Sequence, residues 1–209
     1  MVVPGAFQTI TSPDEMLYRW SKKTAAFSQY DFLNIGVWAY DHPFFNLSQY
    51  AKHIHYLKRI NADGISMEST QSAFASGIPT WYILQQYADS SLQPEAAIRQ
   101  MCRDMFEGAA EPVEKIFKLF YFSEAHLKTQ LDRPAFYADE LGAIIHYTKE
   151  AARVPQVSDA VQFRIFQLKG YVLYLCKFYE LFHSIQHREQ MDKGQLNRAA
   201  VADNLLQLV

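Results

Sequence analysis

Two short segments decide how the amino-terminal part of this chain folds: FLNIGVWAY at residues 32–40 and ADGISME at residues 62–68. Each is an apolar run associated with an acid, Asp41 directly after the first and Glu68 at the end of the second. Between them, residues 47 to about 61 carry apolar side chains at the helical period. This order predicts a parallel βαβ unit, in which both strands end at the same edge of the sheet.

The segments on either side of this unit have the pattern of α-helices. Ser12-Pro13-Asp14-Glu15 provides an N-cap, an N1 proline and a capping-box acid, and predicts a helix that runs to about Gln29. Residues 70–77 are small and polar, and we expect a loop there. From Pro79 onward apolar residues recur at the helical period, with Gly108 as a predicted C-cap. The predicted helices cover residues 80–89, 94–107, 111–129, 134–152, 157–188 and 193–207.

These elements predict an α+β fold that is predominantly α-helical, with a βαβ unit followed by a C-terminal helical bundle. We expect two domains, an α/β segment at residues 1–78 and a helical domain at residues 79–209. A free two-stranded sheet would leave unpaired edges. The strands are therefore expected either to join others that this chain does not contain, which we favour, or to be covered by helices in an unusual way.

Composition excludes several classes of protein. The formal net charge is -2 and no block of basic residues occurs, which argues against nucleic acid as the main partner. No apolar run approaches the roughly 18 residues of a membrane span, and residues 1–5 lack the features of a signal peptide. Cys102 and Cys176 lie in helical patterns and are predicted to be buried thiols. No nucleotide-binding fingerprint, nucleophile elbow or metal-ligand motif is present, so no cofactor and no metal are expected.

The two acids at the strand ends are the first candidates for catalysis. Glycoside hydrolysis uses two carboxyl groups, one as proton donor and one as nucleophile or water-activating base, and Asp41 and Glu68 would supply them. Sequence spacing does not give their separation in space, so retaining and inverting outcomes both stay open. On the residues alone a structural interpretation is favoured, in which Asp41 turns the chain before Pro43 and Glu68 ends a strand.

Aromatic side chains near the same strand end are candidates for binding substrate. Trp38 and Tyr40 alternate onto one face of the strand, and Tyr40 and His42 lie closest to its end. Aromatic rings of this kind stack on sugar faces while presenting a polar tip. Core packing is the favoured alternative for Trp38, whereas Trp81 is expected to pack at a helix start.

Several motifs together resemble a known family. They are Tyr40-Asp41-His42-Pro43, then Asp63-Gly64-Ile65-Ser66-Met67-Glu68, then Trp81-Tyr82-Ile83-Leu84, and finally Phe106-Glu107-Gly108-Ala109-Ala110 before a long helix. From about Asn34 to Leu127 the chain resembles the end of a bacterial family of α-glucuronidase-like glycoside hydrolase domains.

The resemblance implies a TIM-type barrel whose last strands are 32–40 and 65–68, followed by a helical domain. It also implies a carbohydrate substrate and a periplasmic or extracellular enzyme. The chain departs from the family because the upstream barrel strands, and any catalytic acid on them, are missing. The expected function is therefore the C-terminal portion of a glycoside-hydrolase-like protein that is inactive alone. Asp41 and Glu68 would serve as catalytic residues, and Tyr40, His42 and Trp38 as sugar-binding residues.

A second hypothesis is a non-enzymatic helical module for interaction or structure. The long helix at 157–188 carries a large apolar series, which is expected to pack against neighbouring helices. The same helices are alternatively a surface for a partner, such as the missing barrel segment or a second copy of the chain. The series is Phe163, Phe166, Leu173, Tyr174, Phe178, Leu181 and Phe182.

Overall fold

The computed structural model describes residues 13–32, 43, 47–68, 72–122 and 138–188. Most of this part of the chain is helical, and a small parallel sheet lies near its start. The elements are α1 (Pro13–Ser21), β1 (Ser28–Phe32), α2 (Leu47–Arg59), β2 (Gly64–Glu68), α3 (Ile78–Ala88), α4 (Pro94–Phe106), α5 (Ala110–Phe122), α6 (Ala138–Ala152) and α7 (Asp159–Arg188). A π-helical turn (Ala73–Gly77) precedes α3, and a 3-10 turn (Glu107–Ala109) joins α4 to α5.

The described sheet is parallel with a helical crossover, as predicted, but its first strand shares only Phe32 with the predicted strand at 32–40. β1 pairs with β2 in parallel, from Ser28 beside Gly64 to Phe32 beside Glu68, and α2 makes the crossover. The first strand nevertheless begins before the predicted residue 32. Residues 33–40, which were predicted to form most of that strand, lie outside the described part of the chain. Within the described residues the sheet has two strands.

The predicted extent of the first helix is wrong, because α1 ends at Ser21 rather than near Gln29. After the helix, two hydrogen bonds to the residue that precedes β2 hold the backbone beside the start of the sheet. The Phe27 amide donates to the Asp63 carboxylate at 2.6 Å, and the Asp63 amide donates to the Phe27 carbonyl at 2.9 Å. These bonds join residues far apart in sequence, so the local helical pattern did not reveal them.

One face of the sheet packs against the helices. Ile65 and Met67 are half-buried against the core, and Gln29 beside them is only 2% exposed. The buried amide of Gln29 has a partner, because His53 Nε2 donates to Gln29 Oε1 at 2.7 Å. Ser66 on the opposite face is exposed. The described helices thus cover the sheet on one side.

The predicted helices from residue 80 onward agree with α3 to α7 to within a few residues wherever the structure describes them. Pro94 is the first residue of α4, as expected. The helix predicted at 193–207 lies outside the described residues. The loop predicted at 70–77 is wrong over Ala73–Gly77, where a π-helical turn leads directly into α3. The Ser72 side chain caps this turn by accepting the Ala75 amide hydrogen at 3.2 Å.

The core is centred on the aromatic face of α5. Phe117, Phe120 and Tyr121 have no exposed surface. The Phe117 ring lies 6.0 Å from that of Phe106 in α4, and the Phe120 ring lies 5.7 Å from that of Tyr171 in α7. Aromatic pairs at these separations add to the free energy gained by burial. α5 therefore holds α4 and α7 in one core.

The cysteines are buried and unbonded, as predicted. Burial raises the pKa of the Cys102 thiol to about 12 and that of the Cys176 thiol to about 11. Both side chains therefore stay protonated near neutral pH and pack as small apolar groups.

The corner between α4 and α5 is fastened to the start of α7. Glu107, not the predicted Gly108, is the C-cap of α4, and its φ is 47°. Its carboxylate accepts hydrogen bonds from the Ser158 amide at 3.0 Å and the Ser158 hydroxyl at 2.8 Å, which lower the pKa of Glu107. A Cβ on Gly108 would lie 3.2 Å from Val154 Cγ1, so the absence of a side chain lets the α6–α7 connection approach closely.

Replacing Tyr121 with Phe tests the contact between α5 and the π-helical turn. The buried Tyr121 hydroxyl donates to the Phe74 carbonyl at 2.6 Å, and Pro79 has no N–H with which to bond that carbonyl in the π pattern. Tyr121→Phe should lower the free energy of unfolding by about 1–3 kcal/mol, as measured by urea denaturation. Tyr18→Phe removes a hydroxyl from a side chain that is 46% exposed and should change little. Equal stability of both variants would contradict this role for Tyr121.

Candidate functional site

The residues predicted to form a sugar site fall mostly outside the described part of the chain. Trp38, Tyr40, Asp41 and His42 all lie there, whereas Glu68 is the last residue of β2. The parallel pairing places Glu68 beside Phe32, the last residue of β1. β1 and β2 therefore reach the same edge of the sheet at Phe32 and Glu68, and a site at this edge stays a prediction.

Two cavities of the described βαβ unit lie at the opposite edge, where the strands begin. A cavity of about 480 Å³ between α1 and the end of α2 is lined by Tyr18, Lys22, Tyr56 and Arg59, among others. A second cavity, of about 410 Å³, is lined by residues around the Phe27–Asp63 contact and continues along the strands to Tyr30 and Ser66. Glu68 is not among the described residues that line either cavity.

Three polar side chains of the larger cavity have partners within the chain. The Lys22 ammonium lies 5.1 Å from the centre of the Tyr18 ring, and the Arg59 guanidinium lies 5.3 Å from that of Tyr56. The Tyr56 hydroxyl donates a hydrogen bond to the Asp14 carbonyl. Burial, and to a lesser extent the negative charge of Asp14, raises the pKa of Tyr56. These contacts engage the three side chains within the chain, and nothing in the described lining points to a ligand.

A third cavity has a different character. It is a groove of about 360 Å³ between α6 and α7, which we call the α6–α7 groove. Its lining residues recur every three or four positions, so each helix contributes one face. They are Ile145, Thr148, Lys149, Ala152 and Arg153 on the α6 side, and Phe166, Lys169, Gly170, Val172, Leu173 and Cys176 on α7.

One large apolar side chain is exposed in the lining of this groove, and a second is exposed next to it on α7. Phe166 is 67% exposed and lines it, and Phe163, one turn earlier on α7, is 59% exposed. The prediction that both pack against neighbouring helices is therefore wrong within the described structure. Phe178 from the same series is buried, and Leu173 and Tyr174 are half-buried. The side chains of Leu181 and Phe182 are not among those that the structure describes.

The floor of the groove is apolar although it includes a hydroxyl and a thiol. The Thr148 hydroxyl donates to the Ile144 carbonyl in its own helix at 2.7 Å, so it does not require a partner in the groove. The Cys176 thiol is protonated because burial raises its pKa to about 11. Gly170 leaves a gap, since a Cβ added there would meet no atom within 4 Å.

The rim of the groove is positively charged. Lys149, Arg153 and Lys169 line it, and the described lining residues include no acid. Among the residues that the structure describes, none of these three cations takes part in an ion pair. The nearby acid Glu150 lies 3.4 Å from His146 in the same helix. The groove thus combines an apolar floor with a basic rim.

The sequence contained a signal for this groove that the prediction did not use. α7 carries two apolar stripes, and the buried one is Val161, Ile165, Leu168, Val172 and Leu175. The second stripe contains Phe163, Phe166 and Leu173, at spacings that place them on another face of the helix. A helix with two apolar stripes is either enclosed on both sides or presents one stripe to a partner.

No family model, curated protein or solved structure matches this chain. Within the described residues, no three His, Cys, Asp or Glu side chains are grouped as metal ligands. No described helix is both long enough and apolar enough to cross a bilayer. Two regions are the candidate functional sites, the strand edge at Glu68 and the α6–α7 groove.

Adding a methyl group at Gly170 tests whether the groove floor is open. Glycine inside a helix costs about 0.5–1 kcal/mol relative to alanine, and nothing in the described structure obstructs a Cβ here. Gly170→Ala should therefore raise the free energy of unfolding by that amount, as measured by urea denaturation. Gly142→Ala in α6 is a matched control with equally open space and should give a similar gain. A loss of stability in Gly170→Ala alone would show that the gap is filled.

Proposed function

We propose that this chain is a non-enzymatic interaction module whose α6–α7 groove receives a segment of another polypeptide. The observation that carries the proposal is the 67% exposure of Phe166 at the side of an apolar groove. Burying such a side chain is worth about 1.5–3 kcal/mol, so a partner that covers Phe166 gains binding free energy. Exposed apolar patches with a polar rim are typical of protein interaction sites.

The shape of the groove favours an elongated occupant. α6 and α7 are joined by the short connection 153–158, which makes them antiparallel neighbours. From Phe166 to Cys176 the α7 wall extends over about 15 Å at 1.5 Å per residue. A helix of about three turns has that length, and a helix that places its apolar face in a groove is a recurring mode of recognition.

Peptide selection tests this proposal. A displayed library of peptides of about 16 residues is selected against the whole chain, and the dissociation constants of enriched peptides are measured by fluorescence anisotropy. Phe166→Ser removes the ring and Gly170→Leu fills the gap. Each substitution should raise the dissociation constant of peptides that bind in the groove by at least about tenfold. Leu84→Ser on α3 is the matched control, because Leu84 is 56% exposed outside the groove. Enriched peptides that bind all variants equally would overturn the proposal.

A second candidate function is carbohydrate chemistry at the strand edge. We propose it from the resemblance to α-glucuronidase-like domains and from the parallel pairing of β1 with β2, which places Glu68 at the edge where such a site would lie. In this proposal the two strands belong to a TIM-type barrel completed by another part of a longer polypeptide. Asp41 and Glu68 line the sugar site, and Tyr40, His42 and Trp38 bind the sugar.

The second candidate is tested in a polypeptide that includes the upstream barrel strands. Glu68→Gln removes a proton donor or base while keeping the side-chain shape. It should lower kcat on aryl glycosides and aryl uronides by about a hundred- to ten-thousand-fold, as measured by phenolate release. Glu95→Gln, an exposed acid in the first turn of α4, is the control and should be fully active. Full activity of Glu68→Gln would remove Glu68 from the mechanism.

A further inference from the structure

We infer that the occupant of the α6–α7 groove is an acidic amphipathic helix, an inference that rests on the first proposed function and specifies its partner. Such a helix presents apolar side chains at i, i+3 or i+4, and i+7 to the groove, and carries Asp or Glu on both sides of that stripe. The inference depends on three features of the groove: its rim charge, its incompatibility with a second copy, and the gap at Gly170.

The positive charge of the groove rim favours a partner of negative charge. Lys149 and Arg153 lie on the α6 side and Lys169 on the α7 side, so cations flank the apolar floor on both sides. None of the three is neutralised by an ion pair within the described residues. Complementary charges at such a rim steer association and determine which partner is accepted. A partner with carboxylates along both sides of its apolar stripe matches this pattern.

The same charges argue against a second copy of the chain as the occupant. A two-fold symmetric contact brings a patch against its own copy. Here that contact would bring Lys149, Arg153 and Lys169 of one chain close to the same three cations of the other. Like charges at a contact disfavour association, so the exposed Phe166 is better covered by a different, acidic polypeptide.

The gap at Gly170 specifies how the partner helix fits. Gly170 follows Phe166 by one turn on α7, and a Cβ at this position would meet no atom within 4 Å. A small residue lets a facing side chain or backbone approach closely. We therefore place one large apolar side chain of the partner over Gly170, between Phe166 and Leu173.

The selection experiment described above also tests the partner's charge. The peptides to score are those whose binding is lost in Phe166→Ser or Gly170→Leu. These groove-dependent peptides should be enriched in Asp and Glu beside an apolar stripe of helical period. Groove-dependent peptides that are neutral or basic would overturn this inference and leave the interaction module intact. A failure to obtain any groove-dependent peptide would overturn both.

Charge reversal provides a second, independent measurement. Lys169→Glu should lower the affinity for the acidic peptides by at least about tenfold, because it replaces an attraction at the rim with a repulsion. Lys52→Glu makes the same change of charge at an exposed position on α2 and should leave affinity unchanged. Affinity should also fall as salt rises from about 0.1 M to about 1 M, since screening shortens the Debye length from about 10 to about 3 Å. Equal effects of Lys169→Glu and Lys52→Glu would overturn the inference.

Sedimentation equilibrium of the whole chain tests whether a second copy of the chain occupies the groove. The protein should be monomeric at concentrations at which the acidic peptides bind, and Phe166→Ser should not change its mass. A dimer that becomes a monomer in Phe166→Ser would assign the groove to a second copy and overturn the inference.

Discussion

The rest of the structure depends on the close packing of aromatic side chains along α5. Phe117, Phe120 and Tyr121 are fully buried and contact rings from α4, α7 and the π-helical turn. Protein interiors are packed as densely as organic crystals, so such a cluster holds its neighbours in defined positions. The Tyr121 hydroxyl also bonds the Phe74 carbonyl in the π-helical turn, and this contact fastens the start of α3 to the same core.

The position of α7 against this core explains why a groove exists. Tyr171 packs on Phe120, and the stripe from Val161 to Leu175 is buried, so one face of α7 is enclosed. Glu107 bonds Ser158 at the other end of the contact and fixes where α7 begins. The second apolar stripe, with Phe163 and Phe166, stays exposed, and Phe166 lies at the side of the groove with α6.

The two proposed functions draw on different kinds of information. Sugar chemistry at Glu68 rests on a resemblance and on the parallel pairing of β1 with β2, which local sequence patterns predict well. Recognition at the α6–α7 groove rests on exposure, charge and empty space around Phe166, Lys169 and Gly170. Those are properties of the folded surface, and they give the interaction module the more direct physical support.

The sequence by itself determined the helical periods, the parallel βαβ order, the start of α4 at Pro94 and the burial of both cysteines, because these follow from local patterning. It did not determine where α1 stops or β1 starts, since the bonds between Phe27 and Asp63 join residues 36 positions apart. Tertiary structure also decided which apolar stripe of α7 is buried. Both stripes have helical spacing, and only the placement of α5 and α6 around the helix encloses one and leaves the other beside an open groove.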